Sequence, residues 1–155
     1  MSRIGGARKP VRILVADDHP LVRDALCRII GLQPGFAVVG EAADGIEAVQ
    51  RVRALGPDVL LLDLSMPRMN GMDVLRELAE TGAPVRTIVL TGAIERETAR
   101  EALRLGARGI VQKESSTALL SKCVRAVMKG EIWVGPEITA GPAQSSWAID
   151  RTWAK

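Results

Sequence analysis

A chain of 155 residues, 47% hydrophobic and 25% charged, is long enough for one domain with a buried core and too short for two full-sized ones. The opening MSRIGGARKPVR has no apolar h-region and no apolar run approaches the roughly 20 residues of a membrane span, so the chain reads as cytoplasmic, without signal peptide or membrane contact. The formal charge of +3 comes partly from Arg3, Arg8, Lys9 and Arg12, which have no aromatic residues between them and read as a flexible basic terminus over residues 1–10 rather than a nucleic-acid surface.

From residue 11 short branched apolar runs alternate with helical patterns. VRILVA (11–16) reads as a strand ending in Asp17 and Asp18. DHPLVRDALCRIIG reads as a helix, with an acid at its start, Pro20 in the first turn and Gly31 at its end. FAVVGEA (36–42) is a second strand with no obvious functional group at its end. DGIEAVQRVRALG follows as a helix capped by Asp44, with Ile46, Val49, Val52 and Leu55 spaced for one face. DVLLLD (58–63) is a third strand and ends in Asp63; MDVLRELAETG is the helix after it. RTIVLT (86–91) ends in Thr91 and leads to ERETAREALRLG, which has few apolar anchors (Ala99, Ala102, Leu103) and many charges. RGIVQK (108–113) ends in Lys113, and SSTALLSKCVRAVMKG closes the series. Cys27 and Cys123 fall in helical patterns without a CxxC or a His pair, which argues against zinc and against a disulfide framework.

Strict βα alternation predicts parallel strands with helices on both faces and right-handed crossovers. The expected fold is a five-stranded, doubly wound (βα)5 sheet of the flavodoxin-like order 2-1-3-4-5. In such sheets ligands bind beyond the carboxyl ends of the strands, where the winding direction switches.

At that edge the sequence places Asp17, Asp18, Asp63, Thr91 and Lys113. Singly each has an ordinary explanation as a helix cap, a strand residue or a solvated end; all of these must hold at one rim for the group to be without function. Three carboxylates so close repel one another and raise one another's pKa unless a cation joins them. Mg²⁺ prefers oxygen ligands and is usually held by one or two carboxylates with phosphate oxygens. One carboxylate is then left to act as a nucleophile toward phosphorus, with the metal, Lys113 and the Thr91 hydroxyl neutralising the phosphoryl oxygens. Met66-Pro67 and Asn70-Gly71 bend the chain sharply after Asp63, so that the Ser65 backbone carbonyl turns toward the ion.

In "ADDHP", "DLSMPRMNG", "VLTG" and "GARGIVQK", in order at strand ends, the chain resembles the receiver domains of two-component response regulators over residues 11–130. The resemblance implies that Asp63 is the phosphoacceptor and that Asp17 and Asp18, with Asp63 and the Ser65 carbonyl, hold Mg²⁺. It further implies that Thr91 is the switch hydroxyl beside Gly92, that Lys113 pairs with the acceptor or its phosphate, and that the donor is a sensor histidine kinase. "DDHPLVRDAL" and "GEIWVGPEIT" are similar to the NarL/FixJ-type subfamily, whose members usually carry a C-terminal LuxR-type helix-turn-helix that binds DNA.

Two features depart from that pattern. Ile110 stands where the family commonly has Tyr or Phe, so a smaller switch is expected, centred on Thr91, the Gly92-Ala93 loop and the fourth helix. Its surface is expected to stay apolar, with homodimerisation through helices one and five rather than through that face. Residues 131–155 read as a linker or tail without a DNA-binding unit, although Trp133, Trp147 and Trp153 all fall there and imply packing on the domain or on a partner. A stand-alone receiver and a phosphorylation-independent binding module are the alternatives. An aspartyl-phosphate phosphohydrolase of the haloacid dehalogenase kind is disfavoured because Ser65 occupies the place of its second acid, and neither glycine-rich nucleotide motif is present. His19 is assigned no catalytic role.

Overall fold

The computed structural model describes residues 9–92, 96–113 and 117–135. Strands and helices alternate as β1 (Val11–Ala16), α1 (Pro20–Gly31), β2 (Phe36–Ala42), α2 (Gly45–Leu55), β3 (Val59–Asp63), α3 (Gly71–Thr81), β4 (Arg86–Thr91), α4 (Arg96–Arg104), β5 (Gly109–Gln112), α5 (Thr117–Met128) and β6 (Trp133–Val134). Every pairing is parallel and the order is β2-β1-β3-β4-β5-β6. The flavodoxin-like order read from the sequence is therefore present, with one strand added at the edge. β6 went unforeseen because two residues are too few to show a period; backbone N–H groups of Trp133 and Gly135 donate to the carbonyls of Arg108 and Ile110, each at 2.9 Å. The basic residues 1–8, Ala93, Trp147 and Trp153 lie outside the described residues.

Period-two alternation divides the sheet's side chains between two cores. Ile13, Val15, Val59, Leu61, Ile88, Leu90 and Val111 face α1 and α5, where they meet Ile30, Leu120, Cys123, Val124 and Val127. Leu14, Ala16, Leu60, Leu62, Val89 and Ile110 face α2, α3 and α4. β3 is buried on both faces, and this is why it reads as an unbroken VLLL run rather than an alternation. α2 and α3 are capped at both ends: Asp44 and Asn70 accept from the N–H groups of Glu47 and Asp73, and Gly56 and Gly82 terminate them in the left-handed region. α4 buries only Ala99, Ala102 and Leu103. Both cysteines are free; burial pushes the Cys27 thiol up to about 11 and the Cys123 thiol up to about 12, so neither is a reactive thiolate at neutral pH. None of the described helices is long and apolar enough to cross a membrane.

Ile110 corrects one expectation. It contributes no apolar surface, because β6 pairs Val134 beside it and its side chain is fully buried within the core under α4. Truncating it should leave a cavity: Ile110→Ala is expected to lower stability by about 2–5 kcal/mol, and Ile110→Phe to cost about 1–3 kcal/mol through overpacking. Urea unfolding of both variants checks this, and a phenylalanine accepted without loss would show that the pocket has room to spare.

Candidate functional site

Strand register builds the site. Ala16 pairs with Leu62, which brings the next residues, Asp17 and Asp63, side by side at the carboxyl ends of β1 and β3. Thr91 pairs with Gln112, so Lys113 follows at the end of β5. Asp17, Asp63 and Lys113 continue the rows of Val15, Leu61 and Val111, one face of the sheet, and there they meet. Lys113 Nζ lies 3.0 Å from Asp17 Oδ2 and 3.2 Å from Asp63 Oδ2.

The surrounding backbone holds the acids in place. Asp17 is fully buried; its Oδ1 accepts from the His19 N–H at 2.8 Å, and its carbonyl accepts from Arg23 Nη1 at 2.7 Å. Asp63 Oδ1 accepts from the Ser65 N–H at 3.1 Å, a turn closed by the acid itself. Gly71 is needed close by, since a Cβ there would lie 2.7 Å from Leu64 Cα and 2.8 Å from the Asp63 carbonyl oxygen.

Electrostatically the cluster is incomplete. Asp17 Oδ2 and Asp63 Oδ2 share the single Lys113 ammonium, and Asp18 Oδ1 has the His19 ring beside it. Burial raises the Asp63 carboxyl above its ordinary value and the charge of Asp17 adds to this, while the Ser65 N–H and Lys113 only partly offset it. Burial works against the Lys113 charge, but Asp17 and Asp63 outweigh it and hold the ammonium above its usual value. Ligand atoms of Asp17, Asp18, His19 and Asp63 all lie within 4.8 Å of one another. Buried carboxylate oxygens at that spacing, carrying more negative charge than Lys113 neutralises, fit a hard divalent cation.

Of the residues expected from the sequence, Asp17, Asp18, Asp63 and Lys113 come together directly. Thr91 is half-buried at the end of β4, where its carbonyl accepts from the Lys113 N–H at 2.9 Å; Gly92 and Ser65 are exposed on the same rim. Ile110 stands apart, within the core. Two further residues adjoin the site. His19, next to the acids in sequence, has Nδ1 3.2 Å from Asp17 Oδ1 and 3.0 Å from Asp18 Oδ1. Arg68, in the loop after Asp63, pairs with the buried Asp44 at the start of α2. No sequence period links those positions.

The model of the response regulator receiver domain family matches residues 13–125. The chain is 34% identical to the nitrate/nitrite response regulator protein NarL of Escherichia coli (strain K12) over 132 residues, 85% of this chain and 61% of that protein. It is 44% identical to protein-glutamate methylesterase/protein-glutamine glutaminase 2 of Anaeromyxobacter dehalogenans (strain 2CP-C) over 128 residues, 82% of this chain and 37% of that protein. The chain thus spans less than two thirds of either relative. Among solved structures, a two-component response regulator of the LuxR family from Aurantimonas sp. SI85-9A1 superposes with a TM-score of 0.84 at 33% identity, covering 90% of this chain and 99% of that one.

The strained charges give a stability signature. A buried acid whose folded-state pKa is raised destabilises the fold wherever it is ionised, and the penalty is relieved as pH falls through that raised pKa. In EDTA at pH 7, Asp63→Asn is therefore expected to melt above wild type, with the gap closing on acidification. A divalent cation at ten times its Kd should stabilise wild type by roughly 1.4 kcal/mol through mass action and leave the variant nearly unmoved. Melting curves with and without Mg²⁺ check both; a variant that melts below wild type in EDTA would contradict the charge argument.

Proposed function

The chain belongs to the response regulator receiver domain family, and on that premise we propose that Asp63 accepts a phosphoryl group from a phosphohistidine of a sensor histidine kinase in a Mg²⁺-dependent step. The observation that carries this reading is the meeting of Asp63 with Lys113, Asp17 and Asp18 at the carboxyl ends of the central strands. Asp17, Asp18, Asp63 and the Ser65 carbonyl would hold Mg²⁺, which when bound supplies positive charge to the phosphoryl oxygens. A carboxylate oxygen of Asp63 attacks phosphorus; the O–P bond forms as the N–P bond breaks, and the donor imidazole nitrogen leaves with its electron pair. Lys113 keeps its proton throughout, because the two carboxylates beside it favour the charged form, and it turns toward the new phosphate. Thr91 and the Gly92 backbone then receive the phosphoryl oxygens from the other side of the rim.

The role is that of a cytoplasmic signalling acceptor with slow loss of its own phosphate, rather than a turnover enzyme. Output is transcriptional, through a helix-turn-helix domain outside these residues, a reading supported by likeness to the transcriptional regulatory protein DegU of Brevibacillus brevis. The receiver unit covers residues 11–130 and is completed at its edge by β6. Homodimerisation through α1 and α5 belongs to the same proposal, supported by Leu21, Ile29 and Leu32, which stand exposed along α1 and at its end. A phosphorylation-independent binding module is the second reading, favoured by the burial of an aliphatic Ile110 where an aromatic switch is common in the family.

Acetyl phosphate with Mg²⁺ is expected to add one acid-stable, base-labile phosphate to the protein and none to Asp63→Ala; mass spectrometry reads both. Incorporation by Asp63→Ala at the wild-type rate would move the acceptor elsewhere, and rapid turnover of phosphomonoesters would make the protein a hydrolase. Hydrogen exchange with beryllofluoride should change over residues 91–105, where few apolar anchors hold α4. A change centred on β5 instead would contradict a switch that bypasses Ile110.

A further inference from the structure

The loop between Asp63 and α3 is tied down at a point unrelated to the acid cluster. Among the described residues Arg68 is the one non-glycine residue with positive φ, at 67°, and its backbone carries the strain of the left-handed region. Its guanidinium pairs with Asp44, which is 6% exposed and also caps α2 by accepting from the Glu47 N–H at 2.8 Å. Arg68 itself is 65% exposed, so solvation alone offers its side chain no reason to lie against this carboxylate. Beside the pair, Met69 presses its backbone so closely on Gly45 that a Cβ there would run into the Met69 carbonyl. The loop is thereby fixed against the start of α2 at Arg68 and Met69, and against the end of β3 by the Gly71 N–H on the Leu64 carbonyl at 3.1 Å.

Between these fixed points lies Ser65. Ser65 is exposed, its N–H orients Asp63, and its carbonyl is the one backbone group assigned to the cation. We propose that Arg68 and Asp44 form a strap that positions the Ser65 carbonyl and the Asp63 carboxylate for the divalent cation, so that two residues outside the acid cluster set its cation affinity. Arg68 and Asp44 are positioning residues: neither touches the reacting atoms, and they act through the loop. The strap rests on the proposed reading of Asp63 and Ser65 as cation ligands. A backbone carbonyl has no side chain to reposition it, and its place is only as definite as the loop that carries it.

The test uses two variants that break the strap and spare the fold. Asp44→Asn keeps a good helix cap while removing the charge. Arg68→Gly removes the guanidinium and at the same time relieves the positive-φ strain. Mg²⁺ titration of each by calorimetry is expected to give a Kd raised about five-fold or more, with faster amide exchange over residues 64–70. Arg68→Gly should nevertheless melt no lower than wild type in EDTA. Phosphorylation by acetyl phosphate should slow at limiting Mg²⁺ and recover when Mg²⁺ is saturating. Wild-type Kd in both variants overturns the strap, as does a loss of rate that saturating Mg²⁺ fails to restore. Wild-type protein that binds Mg²⁺ yet takes up no phosphate would overturn the phosphoacceptor reading alone, the strap still being decided by the variants' Kd. Failure of wild type to bind Mg²⁺ would overturn both.

Discussion

Two buried carboxylates sharing one ammonium, with a third carboxylate beside them, at the end of an apolar sheet are the constraint on which the rest of the structure depends. Such a group is unfavourable by itself: burial strips water from Asp17 and Asp63, and Lys113 can neutralise only one charge. The strands beneath it supply the offsetting stability. β1, β3, β4 and β5 bury nearly all their apolar residues, sandwiched between five helices, and the cluster is a small polar fault at the edge of a large dry core. The uncompensated charge is also what suits the rim to a cation, since a site already neutral in the folded chain would have little to gain from one.

That rim exists only in one register. A slip of one residue would carry Asp63 to the opposite face of the sheet and away from Lys113. Apolar patterning cannot prevent this in β3, because both its faces are buried. Close contacts with the helices do. Gly71 lets the start of α3 settle onto Leu64 and the Asp63 carbonyl, and Gly109 leaves room for Cys123, whose Sγ would lie 2.6 Å from any Cβ at that position. The first contact fixes the height of β3 and the second that of β5, so two glycines far apart in sequence bring the acceptor level with its lysine.

Much of this was legible in the residues. Alternating strand and helix periods give the winding, and polar residues ending apolar runs give Asp17, Asp63, Thr91 and Lys113 their common edge. The bounds of β1, β2 and β4 agree to the residue with the runs that suggested them. What escaped reading shares one property, dependence on partners distant in the chain. β6 is too short to carry a period and forms because Arg108 and Ile110 offer free carbonyls at the sheet edge. Ile110 reads as a surface position until that strand covers it. Asp44 reads correctly as a helix cap, yet its second partner, Arg68, is visible only once the loop has folded back onto α2.

The same distinction bears on how the rim communicates. β5 is held on both sides, by β4 and by β6, and Ile110 is locked in the core between them. α4 is held by two alanines and a leucine, the thinnest apolar anchorage of any helix on its face. A bistable element must have two arrangements of similar free energy, and few buried contacts bring them close. Asp63 thus has two unlike neighbours: a strand paired on both edges and a helix with few buried anchors. Around Asp63, α4 is therefore the weakly anchored neighbour and β5, paired on both edges, the firmly held one.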